Sequence, residues 1–174
     1  MENNTNQNID SLEMIYFRVT DLWQRLCEKH TTLLNITFDE YALLLESNLD
    51  DLESKSQEKD GVQNEITALE KVREQVIEEL NSILVKKEMD PISSVSDLIM
   101  VMDIYEKKNN QKHLFRFNSL LIDLIEKIQE QNKKNQLFIN KALLSLKQIR
   151  EEVMGSKDYS TYNKRGSHTS HTTD

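Results

Sequence analysis

Pro91 is the only proline in this 174-residue chain, and Gly61, Gly155 and Gly166 are its only glycines. A polypeptide so poor in both cannot make the many tight turns of a strand-rich fold, whereas long helices need neither residue. Apolar residues also recur at spacings of three and four. Leu12, Ile15, Val19, Leu22 and Leu26 form one seam, widened by Tyr16 and Trp23. It continues less regularly through Leu33, Leu34, Phe38, Ala42 and Leu45, and such spacing marks an amphipathic helix. The fold class is all-α.

Local signals divide the chain. A first helix starts near Asn8, capped by Asn8 or Asp10, and runs unbroken to about Ser47 despite Thr31, Thr32 and Thr37. Asn48 with Asp51 three residues on reads as a capping pair at a reversal. The second helix runs from Leu49 to about Glu88 with the seam Leu49, Leu52, Val62, Ile66, Leu69, Val72, Val76, Leu80, Ile83. Ser56 and Lys59 occupy seam positions just before Gly61, which predicts a hinge or frayed stretch there. Asp90-Pro91 ends the helix, because proline disfavours helical geometry in the residue before it. Ser94 and Asp97 cap a short helix over Val95 to Tyr105, and the polar run Lys107 to Lys112 reads as a loop. The last helix extends from His113 to Met154 with Leu114, Phe117, Leu121, Leu124 and Ile128 as its first seam, and Gly155 stops it.

The expected architecture is an elongated, coiled-coil-like antiparallel bundle of three long helices plus one short one. Residues 1–8 are expected to be a disordered lead, 9–155 the bundle, and 156–174 a disordered tail containing Tyr159 and Tyr162.

A formal net charge of −8 repels phosphate backbones, which argues against nucleic-acid binding. No apolar run reaches the length of a membrane span, and the polar start has no secretory h-region. Cys27 is the single cysteine, so no intrachain disulfide can form, as suits a reducing cytoplasm. It lies beside Leu26 and Trp23 without a Gly-rich turn to make an oxyanion site, and reads as structural. A carboxylate metal site in a bundle needs Glu-x-x-His pairs, and neither His30 nor His113 has a glutamate three residues earlier. His168 and His171 in the tail have no preorganised frame. We expect no catalytic residue, no cofactor and no metal.

Three features stand out. Leu137, Phe138, Ile139, Leu143, Leu144 and Met154, with Ala142 and Leu146, spread apolar surface over more of the helix than one packing seam uses, which suits either burial between two helices or a partner-binding face. Met100 and Met102 offer adaptable side chains on the short helix. Asn135 interrupts the seam marked by Ile128, Gln131 and Phe138, where a buried asparagine would fix register at a cost in stability. On that basis leucine at 135 would raise thermal stability and relax the oligomeric state.

With these seams in place the chain resembles the FlgN family of flagellar type III export chaperones, over roughly Leu12 to Gly166. The similarity rests on Leu33-Leu34, Asp39-Glu40-Tyr41-Ala42-Leu43, Asn48-Leu49-Asp50-Asp51-Leu52, Glu58-Lys59 and Leu69-Glu70-Lys71-Val72-Arg73. It continues in Asn132, Asn135, Ile139, Leu143, Leu146 and the tail motif Tyr162-Asn163-Lys164-Arg165-Gly166, where asparagine replaces the family's aspartate. The resemblance implies a cytoplasmic chaperone for hook-associated (hook-filament junction) proteins. It would bind their C-terminal helical segments through Leu137, Phe138, Ile139, Leu143, Leu144 and Met154. Tyr162 would dock on the cytoplasmic domain of the export gate. Without cargo, the apolar face would stay open or close by forming a homodimer. The alternative is a coiled-coil adaptor or spacer without chaperone activity.

Overall fold

Two helix ends are closed by the same device, although neither has glycine. The first helix, α1 (Glu2–Glu46), stops at Ser47, whose φ of 56° is left-handed. Asn48 N–H donates to the Leu43 carbonyl at 3.1 Å and Ser47 N–H to Leu44 at 3.3 Å. The second helix, α2 (Leu49–Lys86), ends with Glu88 at φ 57°. Met89 N–H then donates to Leu84 and Glu88 N–H to Val85, both at 3.0 Å. This paired pattern satisfies carbonyls that a helix end leaves open, and it places a left-handed residue where glycine is usual. Strain at Ser47 and Glu88 is thus offset by closed hydrogen bonds. α2 stops before Pro91 and because of Glu88, two residues short of its expected end.

The computed structural model describes residues 2–108 and 112–155, with side chains from 11 to 107 and from 112 to 154. Among the described residues there are four helices and no strand, the others being α3 (Val95–Lys108) and α4 (His113–Gly155). α1 begins at Glu2 rather than near Asn8, so Asn8 and Asp10 lie inside the helix and do not cap it. α3 continues three residues past Tyr105, which shortens the expected loop.

The expected caps are present. Asn48 Oδ1 accepts from Asp51 N–H at 3.3 Å. Ser94 Oγ accepts from Asp97 N–H at 3.1 Å, while the Asp97 carboxylate accepts from Ser94 N–H at 2.9 Å and Ser93 N–H at 3.0 Å. Those bonds, the backbone one from Ser93 foremost, hold the Asp97 carboxyl below the usual aspartate range. A depressed carboxyl adds stability that is present above the unfolded-state pKa and lost as pH falls through the folded one. Acid titration of wild type against Asp97→Asn should therefore show an extra loss of stability in the wild type below about pH 3.9. Parallel curves would remove this cap from the account.

The chain divides after Asn135 into two units, residues 1–135 and 136–174. In the first, Arg18 pairs with Glu79, Lys29 with Glu65 and Lys55 with Asp39, so α1 and α2 run antiparallel. Trp23 Nε1 donates to Asn118 Oδ1 and Asn135 Nδ2 to the Thr37 carbonyl, so α4 runs parallel to α1. The core joins Ile15, Val19, Trp23 and Leu26 to Leu80, Leu84, Leu98, Met102 and Leu114. Leu84, not Ile83, is the fully buried end of the α2 seam, and Leu49 and Val72 are exposed. Tyr105 of α3 stacks on Tyr16 at 5.8 Å. Buried Glu106 accepts from Leu114 N–H at 2.6 Å and so caps the start of α4 from the neighbouring helix. Burial, helped by the charge of Glu106, pushes the Tyr16 phenol up.

Candidate functional site

The first candidate is a layer of polar side chains in the first unit. Thr37, Glu40, Gln131 and Asn135 are all buried. Lys59 Nζ lies 2.5 Å from Glu40 Oε2 and 2.9 Å from Asn132 Oδ1, with the two charged side chains only 14% and 11% exposed. Gln131 Nε2 donates to Asn135 Oδ1 at 2.9 Å, and Asn135 Nδ2 donates to the Thr37 carbonyl at 3.0 Å. Thr37 Oγ1 is occupied by the Leu33 carbonyl at 2.7 Å. The expected hinge at Ser56, Lys59 and Gly61 is corrected here. α2 passes through it as continuous helix, because Lys59 is matched by partners on α1 and α4. Asn135 lies in this layer, as its place in the seam implied.

The second candidate is the described part of the second unit, Gln136–Gly155. Leu137, Leu143, Leu144 and Met154 are each more than half exposed, and Phe138 and Ile139 are intermediate. Leu146, Ile149 and Val153 belong with them, all about 60% exposed. Ile149 and Val153 were not among the residues singled out for binding, although they continue the same three-and-four spacing. Leu143 and Leu144 flank a shallow hollow of about 440 Å³ with Asn140 and Lys147 at its rim.

Other singled-out residues have structural places. Cys27 is buried, its Sγ 3.2 Å from the Phe117 carbonyl, and burial pushes its thiol up, away from nucleophilic use. His30 is buried with Nδ1 2.8 Å from the Leu26 carbonyl. The methionine pair is split: Met102 is fully buried, and Met100 is 73% exposed. A hollow of about 230 Å³ lies between α2 and the start of α3, lined by Trp23, Arg73, Ile77, Ile92 and Leu98. Arg73 stands 5.8 Å over the Trp23 ring there. Among the described residues no group of three or more His, Cys, Asp or Glu could hold a metal ion. No described helix is long and apolar enough to cross a membrane. Tyr162, with Tyr159, His168 and His171, lies outside the described residues.

Comparison with curated proteins and with solved structures gives no match. The family model described as FlgN protein matches residues 14–170, a span that includes all of α2, α3 and α4 and most of α1. An all-α chain with a buried polar layer and a long exposed apolar face therefore belongs to the FlgN family, a family of flagellar export chaperones.

Proposed function

We propose that this chaperone holds the C-terminal helical segments of hook-associated proteins on the apolar face of residues 137–154 and delivers them to the flagellar export gate. The observation that carries the reading is the exposure of Leu137, Leu143, Leu144, Leu146 and Ile149. These residues recur at helical spacing, the pattern of anchors in a helix-in-groove contact. An exposed apolar face of this length calls for a cover. Cargo supplies it in the loaded state; without cargo the face stays open or closes against a second copy. The chaperone acts in the cytoplasm, where it keeps its cargo from assembling early. Pull-down with recombinant C-terminal segments of the host's junction proteins tests this directly. Failure of every segment to bind would leave the adaptor or spacer reading in its place.

Tyr162 is proposed as the docking residue for the gate's cytoplasmic domain. Tyrosine offers apolar area and a hydroxyl at small entropic cost. Removing residues 156–174 is expected to leave cargo affinity unchanged while abolishing binding to the isolated gate domain in calorimetry. Retained gate affinity would move the docking site onto the helices.

Asn135 is proposed as the register residue of the first unit. Its hydrogen bonds favour the opposite stability effect to the one expected from its seam position. Leucine at 135 would leave the buried Gln131 amide without its acceptor, at about 1–3 kcal/mol. Asn135→Leu alone should thus lower the melting temperature, whereas Gln131→Leu/Asn135→Leu should raise it. The double variant should also populate more than one species in sedimentation. A single unchanged species would argue against a role in register.

A further inference from the structure

We infer that the partner covering residues 136–155 presents two acidic-flanked helices rather than one. This rests on the proposal that this segment binds cargo, and it specifies the chemistry of what binds. Each residue advances about 100° around a helix. On that wheel Phe138, Ile149, Leu146, Ile139, Leu143 and Met154 fall in one arc about 160° wide, and Leu137 and Leu144 form a second stripe. Lys147, Asn140 and Glu151 separate the two stripes on one side and Gln148, Lys141 and Glu152 on the other. A stripe of about 100° suits one packing seam. A wider arc plus a separate stripe needs two helices laid side by side, meeting near the hollow between Leu143 and Leu144.

Charge fixes the flanks of that pair. From Gln136 to Arg150 the chain carries Lys141, Lys147 and Arg150 and no carboxylate, Glu151 and Glu152 following only at the end of the segment, in a protein whose net charge is −8. Arg150 falls inside the wide arc and Lys147 at its rim. Lys147 reaches Glu151 at 3.9 Å, a loose surface pair that leaves the cation available. Partner helices with glutamate or aspartate beside their apolar seams would meet these cations, and basic helices would be repelled. An anionic membrane would also attract the cations. The acidic remainder of the chain opposes that surface, and the segment has no Trp or Tyr to anchor at a headgroup layer.

The test uses the full-length chain and synthetic probes. These are a helical hairpin with glutamate flanks, the same hairpin with lysine flanks, one isolated helix of the acidic hairpin, and phosphatidylcholine–phosphatidylglycerol vesicles. The acidic hairpin should bind at least about tenfold tighter than the basic one, and Lys147→Glu/Arg150→Glu should reverse that order. The single helix should bind more weakly than the hairpin, and vesicles should not sediment the protein. Equal binding of both hairpins or of neither, a single helix as good as the hairpin, or vesicle binding would overturn the inference. Hairpin preference without binding of any junction-protein segment would refute the cargo reading alone. Binding of such a segment at an affinity unchanged by the charge reversal would refute this inference alone.

Discussion

Lys59→Met is expected to destabilise the protein by about 3–5 kcal/mol, the scale for breaking a buried ion pair by removing one partner. The Glu40 carboxylate and the Asn132 amide oxygen would both lose the ammonium that now lies 2.5 and 2.9 Å away. By contrast Arg18–Glu79 is about half exposed on both sides, and its loss should cost no more than about 1 kcal/mol. Removing both charges with Glu40→Leu/Lys59→Met should recover most of the loss, since two apolar side chains can replace a buried pair without leaving a charge behind. Urea unfolding of the two single variants and the double completes the cycle. A loss below about 1 kcal/mol for Lys59→Met would mean that water reaches Glu40 and that the layer is a surface feature.

The same lysine shows where sequence and structure part. The caps at Asn48 and Ser94 were legible because their partners lie three residues away. The seam residues Ile15, Val19, Leu26, Leu80 and Leu114 were legible because burial follows helical period. Lys59 looked like a weak point because Glu40 lies 19 residues away and Asn132 lies 73 away. No local pattern reports a match of that range. Helix ends near Ser47 and Glu88 were legible, but the left-handed geometry that closes them was not, for a different reason. Glycine is the usual sign of a left-handed closing residue, and here serine and glutamate accept the strain. In the candidate binding segment, the apolar surplus of residues 137–154 was plain from composition. Its openness was not, since the same pattern serves a helix buried between two others.

That openness gives the largest expected effect on binding. Leu144 is 62% exposed, so Leu144→Asp removes no core contact of note and should cost the isolated protein only a few tenths of a kcal/mol of helix propensity. A cargo helix seated on the stripe of Leu137 and Leu144 would instead meet a carboxylate at a desolvated anchor. Losing one such anchor costs about 2 kcal/mol or more, roughly thirtyfold in affinity, and the added burial of charge takes binding below detection. Leu146→Asp should do the same through the wide arc. Met100→Asp, on the exposed face of α3, is the matched control and should leave cargo affinity unchanged. Circular dichroism and cargo calorimetry on all three variants separate the cases. If Leu144→Asp and Leu146→Asp unfold while keeping full affinity per folded molecule, the face is core rather than a docking surface. If they fold and bind normally, cargo is held elsewhere on the chain.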